Sequence, residues 1–170
     1  MLNKVADSKS KIMDAYDIQK TVKRIAFQIY ENHYEEKQLV LAGIADNGLI
    51  LGKRILKELK KISDLEVVFM EVKIQKENPR EKITLSSDLA ACKNKSVVVI
   101  DDVLNTGSTL IYAVSHFLGT EVKKLQTAVL VNRNHKNYPV KGDFKGISLS
   151  TSIKERIEVV FGADEGVYLS

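Results

Sequence analysis

The sequence is poor in the residues that define several classes of protein. Its single cysteine, Cys92, cannot form an internal disulfide, and we assign it no role. No apolar run approaches the roughly 20 residues that a membrane-spanning helix needs. The opening stretch, MLNKVADSKSKIMDAYDI, has no apolar segment followed by a small-residue cleavage site, so no secretory signal is found. We therefore expect a cytoplasmic protein without a membrane partner.

Motifs for metal sites and for triphosphate binding are also missing. His33 and His116 lie far apart and lack partners at the spacing of a structural zinc site. No glycine-rich loop ends in Lys-Ser or Lys-Thr, the pattern that holds a nucleoside triphosphate. For His135, in the polar stretch NRNHKNYP, an exposed side chain is the simpler interpretation, and contact with a base or with RNA is the alternative. These observations argue against a zinc site and against a P-loop triphosphatase.

The remaining composition is that of an ordinary globular domain. Hydrophobic residues make up 44% and charged residues 28% of the 170 residues, which fits one domain over residues 1–170. The formal net charge of +4 favours an anionic partner, either a phosphate compound or a nucleic acid. A basic face on one predicted helix is either a solvated exterior or an RNA surface, and no aromatic platform for single-stranded RNA accompanies it. Its residues are Lys53, Arg54, Lys57, Lys60 and Lys61.

Helical and strand patterns alternate along the chain. The apolar periodicity predicts helices after Asp14, after Gly48 and over residues 106–118. Strands are predicted over Leu39–Ile44, Leu65–Ile74, Ser96–Ile100 and Leu125–Asn132. The polar stretch Gln75–Asp88 is predicted as a long loop or hairpin in which only Ile83–Leu85 can pair. This alternation indicates right-handed crossovers, and hence a three-layer α/β fold with a mostly parallel central sheet and helices on both faces.

The stretch VVVIDDVLNTGST, Val97–Thr109, carries the strongest chemical pattern. Ligands of an open parallel sheet bind beyond the carboxyl ends of its strands, and Asp101 and Asp102 follow a buried strand. The turn Thr106–Thr109 leads into a helix whose first N–H groups are unpaired and carry partial positive charge. Such a turn can cradle a phosphate, while the carboxylates can accept hydrogen bonds from sugar hydroxyls or face a hydrated magnesium ion. The pattern indicates a phosphorylated sugar as the ligand.

Three other interpretations fit an aspartate pair after an apolar strand. A phosphoacceptor receiver domain carries its acidic pair on an early strand, whereas this pair follows a later one. A nucleoside triphosphatase needs the phosphate-binding loop that the sequence lacks. The third alternative is structural, with two aspartates that cap a helix and a turn and bind no ligand. The Thr-Gly-Ser-Thr turn favours the ligand-binding interpretation.

The motif IDDVLNTGST resembles the phosphoribosyl pyrophosphate signature of type I phosphoribosyltransferases, in which T-G-x-T follows two acidic, two apolar and one variable residue. Three further segments are similar to those of the pyrimidine operon attenuation regulator and uracil phosphoribosyltransferase family: AGIADNGLILGKRI, AVLVNRNHKNYPVKGDFKG and STSIKERIEVVF. The resemblance covers most of the chain from about Ile12 onward. It implies the type I fold with a flexible hood loop, and a homodimer or higher homo-oligomer.

The resemblance also implies roles for individual residues. Asp101 and Asp102 contact the ribose hydroxyls and hold Mg²⁺, and with Arg80 they are the catalytic residues. The hood is the polar segment Lys73–Asp88, in which Arg80 or Lys82 pairs with the charge of the leaving pyrophosphate. Three segments supply the substrate-binding residues: the monophosphate loop (Asn105, Thr106, Gly107, Ser108 and Thr109), the pyrophosphate loop within Gly43–Gly48 (Ala45, Asp46, Asn47 and Gly48), and the base-binding segment (Val131, Asn132 and Arg133).

The chemistry that the resemblance implies is a substitution at the anomeric carbon of phosphoribosyl pyrophosphate. A nitrogen of the base displaces pyrophosphate through an oxocarbenium-like transition state. Mg²⁺ and positive side chains stabilise the departing charge, and the closed hood excludes water that would hydrolyse the sugar. The implied partners are therefore phosphoribosyl pyrophosphate and a nucleobase.

Several residues depart from the family pattern. Ala45-Asp46-Asn47-Gly48 stands where the regulator family usually has a Lys-Thr-Arg-Gly-like loop, and Ser108 stands where it commonly has arginine. Each lost charged contact costs on the order of 1–3 kcal/mol of binding. Asn105 stands where purine-using relatives carry an aspartate that handles a ring-nitrogen proton, which disfavours a purine substrate.

Three hypotheses of function follow. The first, which we favour, is a pyrimidine-type phosphoribosyltransferase acting on a base such as uracil. The second is an RNA-binding attenuation regulator of pyrimidine genes that senses a nucleotide in the same pocket, with weak or no catalysis. The third is a degenerate relative that binds a phosphorylated nucleotide without turnover, as the missing cations at Ala45, Asn47 and Ser108 suggest.

Overall fold

A computed structural model describes residues 9–170 of the chain. Residues 1–8, which include the start of the stretch searched for a secretory signal, lie outside the described residues. The helices are α1 (Ala15–His33), α2 (Asn47–Ile62) and α3 (Ser108–Phe117), with a 3-10 turn at Leu89–Cys92. The strands are β1 (Ser10–Asp14), β2 (Gln38–Ile44), β3 (Glu66–Lys73), β4 (Thr84–Leu85), β5 (Ser96–Leu104), β6 (Lys124–Arg133), β7 (Phe144–Leu149), β8 (Ile157–Val160) and β9 (Gly166–Leu169).

The central sheet has six strands in the order β4-β3-β2-β5-β6-β7. All its pairs are parallel except that β4 runs antiparallel to β3. The strands β2 and β5 lie in the middle of the sheet and are buried on both faces, as their uninterrupted apolar runs require. This arrangement confirms the predicted α/β class with a mostly parallel sheet.

Helices cover both faces of this sheet, as predicted. The helices α1 and α2 pack on one face through buried residues such as Ile25 and Leu51. The helix α3 packs on the other face through Leu110 and Phe117. Alternate side chains of β2 and β5 point to the two sides, so the sheet contributes to two separate hydrophobic clusters. Among the described residues, no helix combines the length and apolar character that crossing a membrane requires.

A second, antiparallel sheet in the order β1-β9-β8 was absent from the predictions. It pairs the two ends of the described chain, for example Ser10 with Leu169. Its strands are four or five residues long, which is too short for a clear alternating pattern. The sheet joins the main core through Val159 and Val167. Only the folded chain brings these strands together.

Two boundaries near the acidic pair differ from the prediction. The strand β5 continues past Ile100 to Leu104, because β6 provides pairing partners along this length. The helix α3 begins at Ser108 rather than at residue 106, because the preceding Gly107 adopts a left-handed conformation. The aspartates therefore lie within the last part of the strand, and a short turn separates them from the helix.

Candidate active site

The acidic pair lies at the carboxyl end of β5. Asp101 is 3% exposed, and its Oδ1 accepts a hydrogen bond from the backbone N–H of Asp102 at 2.9 Å. Asp102 Oδ1 accepts one from the backbone N–H of Val103, also at 2.9 Å. Burial, together with the neighbouring Asp102 charge, raises the pKa of Asp101 to about 7. A cation placed beside the pair would therefore stabilise its charged form.

The segment Asn105–Thr109 comprises the turn after β5 and the first two residues of α3, and it forms one wall of a cleft of about 350 Å³. Gly107 has a φ of +87°, and a Cβ there would lie 2.6 Å from Val140 Cγ1, so only glycine fits. The Thr106 carbonyl accepts hydrogen bonds from the backbone N–H groups of Asn137 and Tyr138, at 2.8 and 3.2 Å. The first turn of α3 lines the cleft. Its first three N–H groups lack intrahelical acceptors, although that of Ser108 donates to Thr106 Oγ1 at 3.3 Å. This wall has the geometry of a phosphate cradle.

The opposite wall of the cleft comes from β8 and from the start of α2. Residues 157–159 of β8 line it together with Asn47. The Asn47 amide nitrogen donates to Asp102 Oδ2 and to the Val159 carbonyl, both at 2.9 Å. One amide side chain thus joins the acidic pair to the second sheet.

A lysine from the polar segment between β3 and β4 reaches the acidic pair. Lys76 Nζ lies 3.3 Å from Asp101 Oδ1 and 3.8 Å from Asp102 Oδ1, and its side chain is 40% exposed. Burial lowers the pKa of Lys76, but the charges of the two aspartates outweigh it and raise the pKa above its ordinary value. The ammonium is therefore charged and partly neutralises the pair.

A second cleft, of about 470 Å³, adjoins the first. It is lined by residues 45–47 and 73–77, and both clefts include Asn47 and Lys76. The backbone N–H of Ala45 donates to the Val72 carbonyl at 3.0 Å, so the loop after β2 runs beside the end of β3. A Cβ at Gly48 would lie 2.6 Å from the Ile100 carbonyl oxygen. Glycine at this position lets α2 start directly against the acidic pair.

An ion pair holds the turn between β8 and β9 against α2. Both terminal nitrogens of Arg54 donate to the Glu165 carboxylate at 2.7 Å. The same guanidinium lies 4.6 Å from the centre of the Phe161 ring. Hydrogen bonding from Arg54 lowers the pKa of Glu165 below its usual range. This clamp supports the strand that forms the second wall of the cleft.

Comparison with known proteins identifies the family. The family model described as "Phosphoribosyl transferase domain" matches residues 8–165. This chain belongs to the phosphoribosyltransferase family. It is 30% identical over 161 residues to the Bifunctional protein PyrR of Streptococcus thermophilus, covering 93% of each chain. It is 31% identical over 166 residues to the Pyrimidine operon regulatory protein of Lactococcus lactis, covering 94% of each.

Solved phosphoribosyltransferase structures share the fold at lower sequence identity. A hypoxanthine-guanine phosphoribosyltransferase from Bacillus anthracis is similar with a TM-score of 0.71 at 18% identity, covering 85% of each chain. The hypoxanthine phosphoribosyltransferase of Trypanosoma cruzi gives a TM-score of 0.73 at 15% identity, covering 82% of this chain and 81% of that one. These structures establish the type I architecture, and they leave the substrate to be inferred from the site itself.

The residues that the family resemblance selects fall into two groups in the structure of this phosphoribosyltransferase. One group lines the two clefts: Asp101, Asp102, Asn105, Thr106, Gly107, Ser108, Thr109, Ala45, Asp46 and Asn47. The other group consists of Gly48, Val131, Asn132, Arg133, Arg80 and Lys82, none of which is among the described residues that line either cleft. Arg80 and Lys82 are exposed on the polar segment. Their contact with pyrophosphate stays a prediction and requires that segment to move.

The segment expected to bind the base, at the end of β6, lies in a supporting position. The Val131 side chain is buried in the core between the sheet and α1. Arg133 donates to Asn105 Oδ1 at 3.1 Å, to Thr151 Oγ1 at 2.9 Å and to the Glu155 carbonyl at 2.9 Å. Arg133 therefore joins Asn105, at the start of the turn after β5, to the segment that leads into β8, and holds the rim of the cleft.

Three features of the site escaped the sequence analysis. The sequence does not distinguish Lys76 from the other charged residues of the polar segment, because its sequence context resembles that of its neighbours. The role of Tyr138 in supporting Thr106 depends on a contact between distant segments. The strand β8 is too short to predict. A helical or strand period carries no information about such contacts, so no signal in the sequence identifies them.

The type I family uses Mg²⁺, and the residues present fit that ion. Mg²⁺ in proteins is bound by one or two carboxylates together with substrate oxygens and water. Asp101 and Asp102 supply two carboxylates at the cleft, and Lys76 shows that a cation fits beside both of them. The pair is therefore the site at which the ion would be held.

Proposed function

We propose that this protein transfers the phosphoribosyl group of phosphoribosyl pyrophosphate to a pyrimidine base such as uracil, forming a nucleoside monophosphate and releasing pyrophosphate. The observation that carries the proposal is the position of the Asp101–Asp102 pair directly beside the cradle of residues 105–109 in one cleft. A sugar diol and a phosphate of the same molecule would each find their partners there.

The proposed division of roles follows the walls of the cleft. The cradle binds the 5′-phosphate, and Asp101 and Asp102 accept hydrogen bonds from the ribose hydroxyls. When bound, Mg²⁺ would neutralise charge on the diphosphate and on the carboxylates. The base would lie toward the rim formed by β8, where Arg133 supports the neighbouring segment. During transfer the C1–N bond forms as the bond from C1 to the pyrophosphate oxygen breaks, and the proton of the attacking base nitrogen passes to the departing pyrophosphate or to water.

The orientation of Asn105 supports a pyrimidine rather than a purine. Arg133 has only donors, so the Asn105 atom that faces it at 3.1 Å is the amide oxygen. The Asn105 amide nitrogen is then left as a donor on a residue that lines the cleft. A neutral amide cannot accept a proton from a purine ring nitrogen, whereas it can donate to a carbonyl oxygen of a pyrimidine. The names of the relatives, which refer to pyrimidine genes, favour the same class.

The test is a Mg²⁺-dependent assay of pyrophosphate release with uracil, orotate, hypoxanthine and guanine as competing bases. We expect turnover with one pyrimidine, and loss of at least about 100-fold in kcat/KM in Asp101→Ala and Asp102→Ala. Both variants must retain the wild-type far-UV spectrum. Turnover that persists in both variants would overturn the assignment of the acidic pair. Nucleotide binding without turnover on any base would favour the degenerate, sensing relative.

An RNA-binding regulatory function is the second proposal, and a row of lysines on α2 favours it. Lys53, Lys57 and Lys60 are exposed and lie four and three residues apart, so they share one helix face. We call these three residues the lysine row. Arg54 is excluded from it by its contact with Glu165, and Lys61 pairs with Glu58 at 2.6 Å. The regulatory names of the relatives agree with an RNA partner.

A filter-binding assay with a structured RNA hairpin, and the same hairpin in DNA as competitor, tests this second function. The double variant Lys57→Met/Lys60→Met is expected to bind the RNA about 10-fold more weakly, with a shallower salt dependence. The matched control is Lys20→Met/Lys23→Met, which removes the same charge from exposed positions of α1. Equal losses in both double variants would mean that binding follows net charge alone and would overturn the lysine row as an RNA surface.

A further inference from the structure

We propose that Lys76 is a tethered counter-ion that exchanges with Mg²⁺. In the ligand-free protein its ammonium neutralises Asp101 and Asp102, and when Mg²⁺ and substrate take over these carboxylates it moves to the diphosphate group. This inference rests on the proposed phosphoribosyl transfer, and it names the residue that supplies positive charge to the leaving group.

The first step of the argument is the position of the ammonium. Lys76 Nζ lies 3.3 Å from Asp101 Oδ1 and 3.8 Å from Asp102 Oδ1, so one cation serves both carboxylates. Asp101 is 3% exposed and has no other cation within ion-pair distance among the described residues. Without Lys76 the buried pair would carry uncompensated charge, which is costly. The Lys76 ammonium therefore neutralises part of the charge of the two aspartates in the ligand-free protein.

The second step is that Lys76 cannot remain in place when a divalent ion binds. A magnesium ion lies about 2.1 Å from its carboxylate ligands. An ammonium that stays beside the same oxygen would lie within roughly 5.5 Å of the ion, where like charges repel in a partly buried site. Lys76 comes from the polar segment between β3 and β4, which is largely exposed. This segment can give way without disturbing the sheet.

The third step is the destination of the ammonium. Lys76 lines both the cleft of the acidic pair and the adjoining cleft beside the loop Ala45–Asn47. That loop offers no positive side chain of its own, and Asp46 and Glu77 add negative charge to the same cleft. Apart from Lys76, Lys73 is the one cation among the described lining residues, so a diphosphate with several negative charges needs a second one. Lys76 reaches the second cleft by moving its side chain alone, whereas Arg80 and Lys82 are not among its described lining residues.

The first experiment measures Mn²⁺ binding to the full chain by electron paramagnetic resonance, with no nucleotide present. Lys76→Met is expected to bind Mn²⁺ about 5- to 10-fold more tightly than wild type, because its competing ammonium is gone. Lys73→Met is the matched control, since Lys73 lines the second cleft and has no ion pair among the described residues. It should gain affinity no more than about 2-fold through the general change in charge. Equal gains in both variants would overturn the exchange.

The second experiment measures binding of magnesium pyrophosphate by calorimetry. Lys76→Met is expected to bind it about 10-fold more weakly, whereas Lys76→Arg, which keeps the charge, should stay within about 3-fold of wild type. Pyrophosphate affinity that is unchanged in Lys76→Met would overturn the second half of the proposal. Lys76 would then be a counter-ion that leaves without contacting the substrate.

The two binding experiments can fail or succeed independently of the proposed transferase function. Neither measurement needs a base or turnover. If both behave as expected and no base is ribosylated, the exchange stands and the transferase proposal falls. If turnover with a pyrimidine is found while Lys76→Met binds both Mn²⁺ and pyrophosphate as wild type does, the transferase proposal stands and the exchange is wrong.

Discussion

The two walls of the cleft hold their shape in different ways. The phosphate-cradle wall, Asn105–Thr109, is one continuous segment that follows the aspartates in the chain, and its conformation depends on a left-handed glycine. The opposite wall is assembled from Asn47 and from β8, with Lys76 reaching in from the polar segment. Hydrogen bonds and ion pairs between residues far apart in the chain hold it together.

The two walls should therefore respond differently to mutation. A phosphate cradle depends on backbone N–H groups, so its function is set by local backbone geometry and tolerates few changes. The assembled wall depends on side chains, which can be exchanged one at a time and can move. Asn47, which departs from the family pattern, lies on this second wall. We therefore expect damage to the cradle to abolish function, and damage to the assembled wall to modulate it.

Gly107→Ala in the cradle should damage function more than any change in the assembled wall. The new methyl group combines an unfavourable φ with a collision against Val140. The value of kcat/KM for phosphoribosyl pyrophosphate should fall roughly 100-fold in steady-state kinetics. Gly162→Ala is the matched control, because Gly162 also has a positive φ but no atom within 4 Å of its Cβ position. It should cost about 1 kcal/mol of stability and leave kcat/KM unchanged. Similar activity in the two variants would contradict the special role of the cradle.

Asn47→Ala tests the link between the acidic pair and β8. The change removes both hydrogen bonds from the Asn47 amide, and kcat/KM should fall about 5- to 10-fold with little change in melting temperature. Asn47→Asp should be worse, because it places a third carboxylate beside Asp102. If Asn47→Ala were as active as wild type, the assembled wall would not need this link.

Glu165→Gln removes the ion pair with Arg54 that supports the assembled wall. We expect it to lower stability modestly and to leave activity unchanged. Since Arg54 is 34% exposed, the free energy of unfolding near pH 7 should fall by only about 1 kcal/mol. Arg54 lowers the pKa of Glu165, so this stabilisation exists above the usual glutamate pKa and is lost as the pH falls through the lower, folded-state value. Urea titrations should show wild type and variant converging as the pH is lowered through this range.

Glu121→Gln provides the control for this clamp. Glu121 is 81% exposed and pairs with Lys93 at 3.5 Å, so its replacement should leave stability unchanged at every pH. A difference between wild type and Glu165→Gln that grows on acidification would contradict the expected pH dependence of the clamp.

Asn105→Asp should have the smallest effect of these variants, a shift in the preference between bases. Arg133 can still donate to a carboxylate at this position, while the new group can accept a proton. The ratio of kcat/KM for hypoxanthine to that for uracil should rise by a few fold in competition assays. Asn105→Ala removes the amide without adding a base and should not raise this ratio. An unchanged ratio in Asn105→Asp would contradict the role proposed for the amide.

The predictions from sequence succeeded where the information is local. Continuous apolar runs predicted β2 and β5, and the aspartate cap at Asp14 correctly placed the start of α1. The polar segment was predicted to pair only briefly, and Thr84–Leu85 does so with β3. The three strands of the second sheet were missed, because each is short and because β9 joins the neighbouring β8 to β1 at the other end of the described chain.

The residues of the candidate site likewise differ in whether local sequence could predict them. The spacing of Asp101, Asp102 and Gly107 could be interpreted chemically because all three belong to one strand and one turn. Arg80 and Lys82 of the polar segment are predicted to pair with pyrophosphate, and that role stays a prediction, whereas the contact of Lys76 with the acidic pair is seen only in the structure. Composition cannot separate these cations, since all of them occur in a run of polar residues.

Local sequence was enough to predict the fold class, and to select the acidic pair and the turn that we propose as a phosphate cradle. These depend on apolar periodicity and on turn geometry, which act over a few neighbouring residues. Three-dimensional packing was needed to establish which cation meets the carboxylates, what the second wall is made of, and which atom of Asn105 faces Arg133. Those outcomes depend on how far side chains reach across the cleft between segments distant in the chain, and no local pattern encodes that distance.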